Sequence, residues 1–115
     1  MKNHKGKPYT TAAIYAGSSS SIRSSDVSIK KQVIDCWNFS AERGWKVEHV
    51  FIDLSKNGSL MDRTNFQKMI KEARTRKFDF VVLCKLEDLC GSPSDLADVT
   101  ELLRQSGIPF HNVDK

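Results

Sequence analysis

The sequence predicts an α/β domain of three layers, α/β/α, built around a mostly parallel central sheet. Three observations carry that reading. Short apolar runs rich in β-branched and aromatic residues alternate with longer segments of three- and four-residue periodicity, glycines or polar residues close each run, and the distinctive polar residues gather just after the runs. At 115 residues, 39% hydrophobic and 28% charged, the chain falls in the usual size and composition range of one ordinary globular domain.

In chain order, residues 1–10 are polar and basic and read as a flexible leader, with the domain expected over 11–115. Thr11-Ala12-Ala13-Ile14-Tyr15-Ala16 is a candidate buried strand, ended by Gly17. Residues 18–25 are a serine-rich loop, and Ser25 or Ser28 can cap a helix over 28–43. Ile29, Val33, Cys36, Trp37 and Ala41 recur on one face of that helix, and Gly44 stops it. Residues 46–52 alternate and then turn wholly apolar, so a second strand with a more buried end is expected before Asp53. After a loop, Asp62 can cap a helix over 62–76 that carries Phe66, Met69, Ile70 and Ala73 on one face. Residues 78–84 give the strongest strand signal. Ser92-Pro93-Ser94-Asp95 starts a helix over 93–106, with a cap residue, a proline in the first turn and an acid at the third position. Gly107 ends it, and a last strand covers 108–113, with Pro109 where a missing N–H does least harm.

Parallel sheets of this kind bind ligands beyond the carboxyl ends of their strands, so residues 17–25, 53–63 and 85–93 are the candidate site segments. Charge adds little. Eighteen Lys+Arg against fourteen Asp+Glu give +4, which permits a polyanionic partner without requiring one. No apolar run approaches the ~18 residues of a membrane span and the amino terminus lacks a signal-peptide core, so a cytoplasmic protein with no membrane contact is expected. Cys36, Cys84 and Cys90 are odd in number and share no metal-ligand spacing, and they read as reduced thiols with no metal and no cofactor. Trp37 and Trp45 read as core or edge packing, and His49 carries no assigned role.

At the strand ends the sequence resembles the N-terminal catalytic domain of the serine recombinases, the resolvase–invertase family. The matching pieces are Tyr15-Ala16-Gly17-Ser18-Ser19, Ser28-Ile29-Lys30-Lys31-Gln32, Phe51-Ile52-Asp53, Gly58-Ser59-Leu60-Met61-Asp62-Arg63, Lys85-Leu86-Glu87-Asp88-Leu89 and Asn112-Val113-Asp114. The resemblance covers residues 11–114. It implies a resolvase-like fold and a reaction in which Ser19 attacks a DNA phosphodiester to form a 5′-phosphoserine, with DNA and other recombinase subunits as partners. It also implies supporting roles for Gln32, Asp53, Lys85 and Glu87. A serine hydroxyl is a weak nucleophile and the phosphoryl oxygens gather charge in the transition state, so the family surrounds the serine with arginines.

This chain departs from that pattern. Gly17, Asp88 and Gly91 stand where the family has arginines, and only Arg63 remains. Removing one preorganised charge donor costs ~3–4 kcal/mol in well-studied active sites, so impaired catalysis is expected. Two other readings stay open: an active fragment using Arg63, Lys85 and Arg23, and a small phosphate- or nucleotide-binding module whose Gly17–Ser21 backbone cradles an anion. The resemblance also leads to the expectation that the chain ends before a long dimerisation helix and a DNA-binding domain, leaving the isolated domain a monomer or weak dimer with little affinity for DNA.

Overall fold

The structure, a computed structural model, describes residues 9–18, 26–54, 59–90 and 92–113; for residues 26–28 and 88 it describes the backbone alone. The strands are β1 (Thr11–Gly17), β2 (Lys46–Asp53), β3 (Phe80–Cys84) and β4 (Phe110–Val113), and the helices are α1 (Asp26–Glu42), α2 (Thr64–Arg74), α3 (Leu86–Leu89) and α4 (Pro93–Gln105). A 3-10 turn, Leu60–Asp62, precedes α2. The sheet runs β2-β1-β3-β4 with every pairing parallel. This is the expected three-layer α/β/α domain.

β1 is buried along its whole length because it lies inside the sheet and is covered on both faces. Its alternate residues split between two cores. Ala13 and Tyr15 join Phe66, Met69, Ile70, Val99 and Leu103 beneath α2 and α4, whereas Ala12 and Ile14 pack with Cys36, Val82 and Val113 beneath α1. Each fully buried side chain of this size contributes about 1.5–3 kcal/mol of transfer free energy, so the two cores hold the three layers together.

The elements differ from the sequence expectation at their ends: β4 begins at Phe110 rather than residue 108, and α2 runs over Thr64–Arg74 rather than 62–76. β3 begins at Phe80 rather than residue 78 because Asp79 turns its carboxylate onto the Thr11 amide (2.8 Å) at the start of β1. Tyr9 and Thr10, read with the leader, already belong to the fold: the Thr10 carbonyl accepts from Lys46 N (2.8 Å), and the Lys46 ammonium lies 4.8 Å from the Tyr9 ring centre. The rest of the leader lies outside the described residues. Ser28 sits inside α1 rather than capping it, and Ser25 lies outside the described residues. Trp37 is 49% exposed and Ala41 is exposed, so the buried face of α1 is narrower than the periodicity suggested. In β2, Phe51 and Asp53 are buried while Val50 and Ile52 are exposed, because β2 is an edge strand rather than a central one.

Candidate active site

The site is built where β1 and β2 end side by side. The Ser18 amide donates to the Asp53 carbonyl (3.1 Å), and the Ser18 hydroxyl to the Leu54 carbonyl (2.8 Å), so the chain leaving β1 is stitched to the end of β2. From the opposite face of the sheet, the Gln32 amide of α1 grips Gly17 twice: its Oε1 accepts from Gly17 N (3.2 Å) and its Nε2 donates to Gly17 O (2.9 Å). A side-chain amide matches a backbone peptide group in this way because it offers one donor and one acceptor in the same plane.

Asp53 is the hub beneath this turn. Its carboxylate accepts from Asn65 N (3.0 Å) and Phe66 N (2.9 Å), the free N–H groups of the first turn of α2, and from the Tyr15 hydroxyl (2.8 Å). A carboxylate at a helix amino terminus is favoured by both hydrogen bonding and the helix dipole. The helix therefore takes its cap from β2, not from Asp62, which lies in the 3-10 turn; the N-cap residue itself, Arg63, has no side-chain cap. Burial first, and then the hydrogen bond to Asp53 and the charge of Asp53, hold the Tyr15 hydroxyl well above its ordinary range; the charge of Arg63 opposes this in part.

Because α2 is capped from β2, the Arg63 side chain is free to turn inward. It is 4% exposed, and its Nη1 donates to the Ser18 carbonyl (2.7 Å). Its Nε and Nη2 are buried without a hydrogen-bond partner among the described residues. Gly17 makes room for it: a Cβ at that position would stand 2.9 Å from Arg63 Nη1 and 3.0 Å from the Tyr15 hydroxyl. Cys90 lies near enough for the same charge to reach it. Burial pushes its thiol up to about 11, the Asp95 charge adds to the rise, and Arg63 counters it.

Gly17, Gln32, Asp53 and Arg63 thus come together as one cluster. Lys85 and Glu87, at the end of the neighbouring β3, are exposed. Lys85 adopts a left-handed backbone (φ +48°) that turns β3 into α3, where Asn112 Oδ1 accepts from Leu86 N (2.9 Å). Ser19, Arg23 and Gly91 lie outside the described residues, as does the side chain of Asp88. Tyr15 and Asn112 entered the sequence reading only within strands and matching pieces, with no role assigned, and Asn65 was not named in it. Tyr15 offered one signal, a hydroxyl inside an otherwise wholly apolar run, which demands a buried partner.

Comparison with known proteins accords with this arrangement. The family model for the resolvase N-terminal domain matches residues 12–115. The chain belongs to the resolvase family. Among solved structures, the N-terminal catalytic domain of TP901-1 integrase is similar to it at TM-score 0.72 and 25% identity, covering 90% of this chain and 77% of that one. The C-terminal catalytic domain of ISC1926 TnpA, an IS607-like serine recombinase, is similar at TM-score 0.70 and 26% identity, covering 91% of this chain and 70% of that one. A resolvase family site-specific recombinase from Streptococcus pneumoniae shares the fold at TM-score 0.70 and 18% identity, over 90% of this chain and 72% of that one. No curated protein matches the chain in sequence. The chain is therefore a serine-recombinase-like catalytic domain. Among the described residues of this resolvase domain, no helix is long and apolar enough to cross a membrane, and no three His, Cys, Asp or Glu side chains cluster as metal ligands would.

Proposed function

We propose that this resolvase domain serves a serine site-specific recombinase in DNA rearrangement, with Ser19 at the nucleophile position and strand transfer weakened by its arginine complement. In the family reaction the serine Oγ loses its proton and bonds to phosphorus, the bond from phosphorus to the 3′ oxygen breaks, and that oxygen leaves as a protonated 3′-hydroxyl. Two equatorial phosphoryl oxygens then need cations beside them. The observation that supports weakened transfer is the placement of Arg63, the one remaining family arginine, which turns inward onto the Ser18 carbonyl instead of standing free at the surface. Gly17 contributes no side chain, and Asp88 brings the wrong charge to the end of β3. Gln32 and Asp53 act as positioning residues on this reading, through the Gly17 turn and through α2. Lys85 and Glu87 stand at the rim. DNA and other recombinase subunits are the partners the reading names.

The test joins this domain to the dimerisation helix and DNA-binding domain of an active family member and supplies the matching site. No covalent protein–DNA adduct is expected on a denaturing gel. Adduct that forms with the unmodified sequence and disappears in Ser19→Ala would overturn the impairment. Gly17→Arg alone is expected to restore little. A side chain at residue 17 displaces Arg63 from its present place, so this change exchanges one cation's position for another's before it adds charge.

A further inference from the structure

Beneath the Gly17 turn, on the α1 side of the sheet, two thiols meet. Cys36 of α1 and Cys84 at the end of β3 lie with their sulfurs 3.6 Å apart, although 48 positions separate them in sequence. They sit in the small apolar core with Ala12, Ile14, Val82 and Val113. Cys36 is wholly buried, while Cys84 keeps 6% of its surface. The Cys84 sulfur also lies 3.7 Å from the carbonyl of Gln32, the residue whose side chain grips Gly17.

We propose that Cys36 and Cys84 are a redox-sensitive thiol pair that closes to a disulfide under hydroperoxide, tying α1 to β3 and altering the Gln32 grip on Gly17. The proposal is independent of whether the domain transfers DNA strands. A disulfide has an S–S distance of about 2.05 Å, so closing the pair needs an approach of roughly 1.6 Å, shared between rotation of the two side chains and a small shift of α1. Buried thiols are ordinarily inert because the thiolate is the reacting form. Here the two sulfurs are in hydrogen-bonding contact; that contact, with the charges of Lys31 and Lys85, favours the thiolate at Cys84 against burial and the charge of Asp35, while the contact and burial hold Cys36 protonated. Cys84 is the more exposed of the two, and the proposed oxidation begins there.

The chemistry balances with the peroxide as oxidant. The Cys84 thiolate attacks one peroxide oxygen, the O–O bond breaks, and hydroxide leaves to take up a proton as water. The Cys36 sulfur then attacks the resulting sulfenic sulfur, the S–S bond forms, and the sulfenic oxygen leaves with the Cys36 proton as a second water. Two thiols are oxidised by two electrons and one peroxide is reduced.

The experiment treats the reduced full chain with hydrogen peroxide and maps its non-reduced peptides by mass spectrometry. The expected product is a Cys36–Cys84 cross-link lacking two hydrogen atoms, restored to free thiols by dithiothreitol. It should persist in Cys90→Ala and be absent from Cys36→Ala and from Cys84→Ala. Hydrogen exchange at the Gly17 amide should change on oxidation of the parent and of Cys90→Ala, and stay unchanged in Cys36→Ala. Linkage through Cys90, oxidation of Cys84 only to sulfinic acid, or no reaction while the protein stays folded would overturn the pair. A cross-link formed with unchanged Gly17 exchange would overturn its coupling to the turn.

Discussion

At the scale of single residues, Arg63 carries the tension of this site. A guanidinium has five N–H donors. Here Nη1 meets the Ser18 carbonyl, while Nε and Nη2 are buried and unpaired among the described residues. A hydrogen bond from a charged group is worth about 1.5–3 kcal/mol, but two buried donors left unmade cost about 2–6 kcal/mol together, so the unmet donors offset or outweigh the one bond. Arg63→Met, which keeps the length and removes the charge, is therefore expected to leave stability within about 1 kcal/mol of the parent or to raise it. Urea denaturation checks this, and a loss beyond about 3 kcal/mol would mean that the guanidinium is satisfied where it lies. Arg63 was legible in the sequence as a site residue, since the family resemblance selects it. Its inward direction was not, because that depends on an absent side chain at residue 17, forty-six positions away, and on a cap for α2 supplied from another strand.

Among the elements, α2 shows how far a strand can govern a helix. Asp53 satisfies the first-turn amides of Asn65 and Phe66 while accepting from Tyr15, so one carboxylate joins β1, β2 and α2. Losing a helix cap costs about 0.5–2 kcal/mol, and stranding a buried hydroxyl about 1–3 kcal/mol. Asp53→Ala is expected to destabilise by about 2–4 kcal/mol, and Tyr15→Phe in the same chain should return about 1 kcal/mol of that by removing the stranded hydroxyl. A thermodynamic double-mutant cycle measures the coupling, and strict additivity would refute a shared hub. The periodicity of Phe66, Met69, Ile70 and Ala73 placed α2 correctly on its buried face, as alternation and β-branching placed β1 and β3. Local chemistry misled at the cap: Asp62 has the right residue type, yet the three residues of the 3-10 turn precede the helix, and a nonlocal acid takes the role. The start of α4 was read correctly because its signal is wholly local: Ser92 accepts from Asp95 N at 3.0 Å, with Pro93 in the first turn.

Across the whole molecule, pH acts through groups that burial keeps neutral. Tyr15 is held above its ordinary range and Cys90 is raised to about 11, whereas the contacting Cys36 and Cys84 thiols move in opposite directions. A raised pKa means that the unfolded chain gives up its proton first. The stability linked to Tyr15 and Cys90 is thus fully present below the unfolded thiol value of about 8.5 and is lost as pH climbs toward the folded values. Denaturant midpoints should fall steadily above about pH 8.5, with Cys90→Ala removing part of the early decline. A flat profile to pH 11 would contradict the burial of these groups. The order of the layers was legible because every strand and long helix announces itself locally; the order of strands within the sheet was not, and with it went the exposure of β2. That placement has a consequence for how the domain behaves in company. Val50 and Ile52 share one exposed side of a strand that has no neighbour on its outer edge among the described residues, and exposed Leu54 follows it. An apolar strip beside an open ladder is a template for another strand, and natural sheets usually guard such edges with charge. Here Lys46 and Glu48, the charges of β2 besides the buried Asp53, stand in its first half, so crowding the domain favours association through the apolar end at Val50 and Ile52.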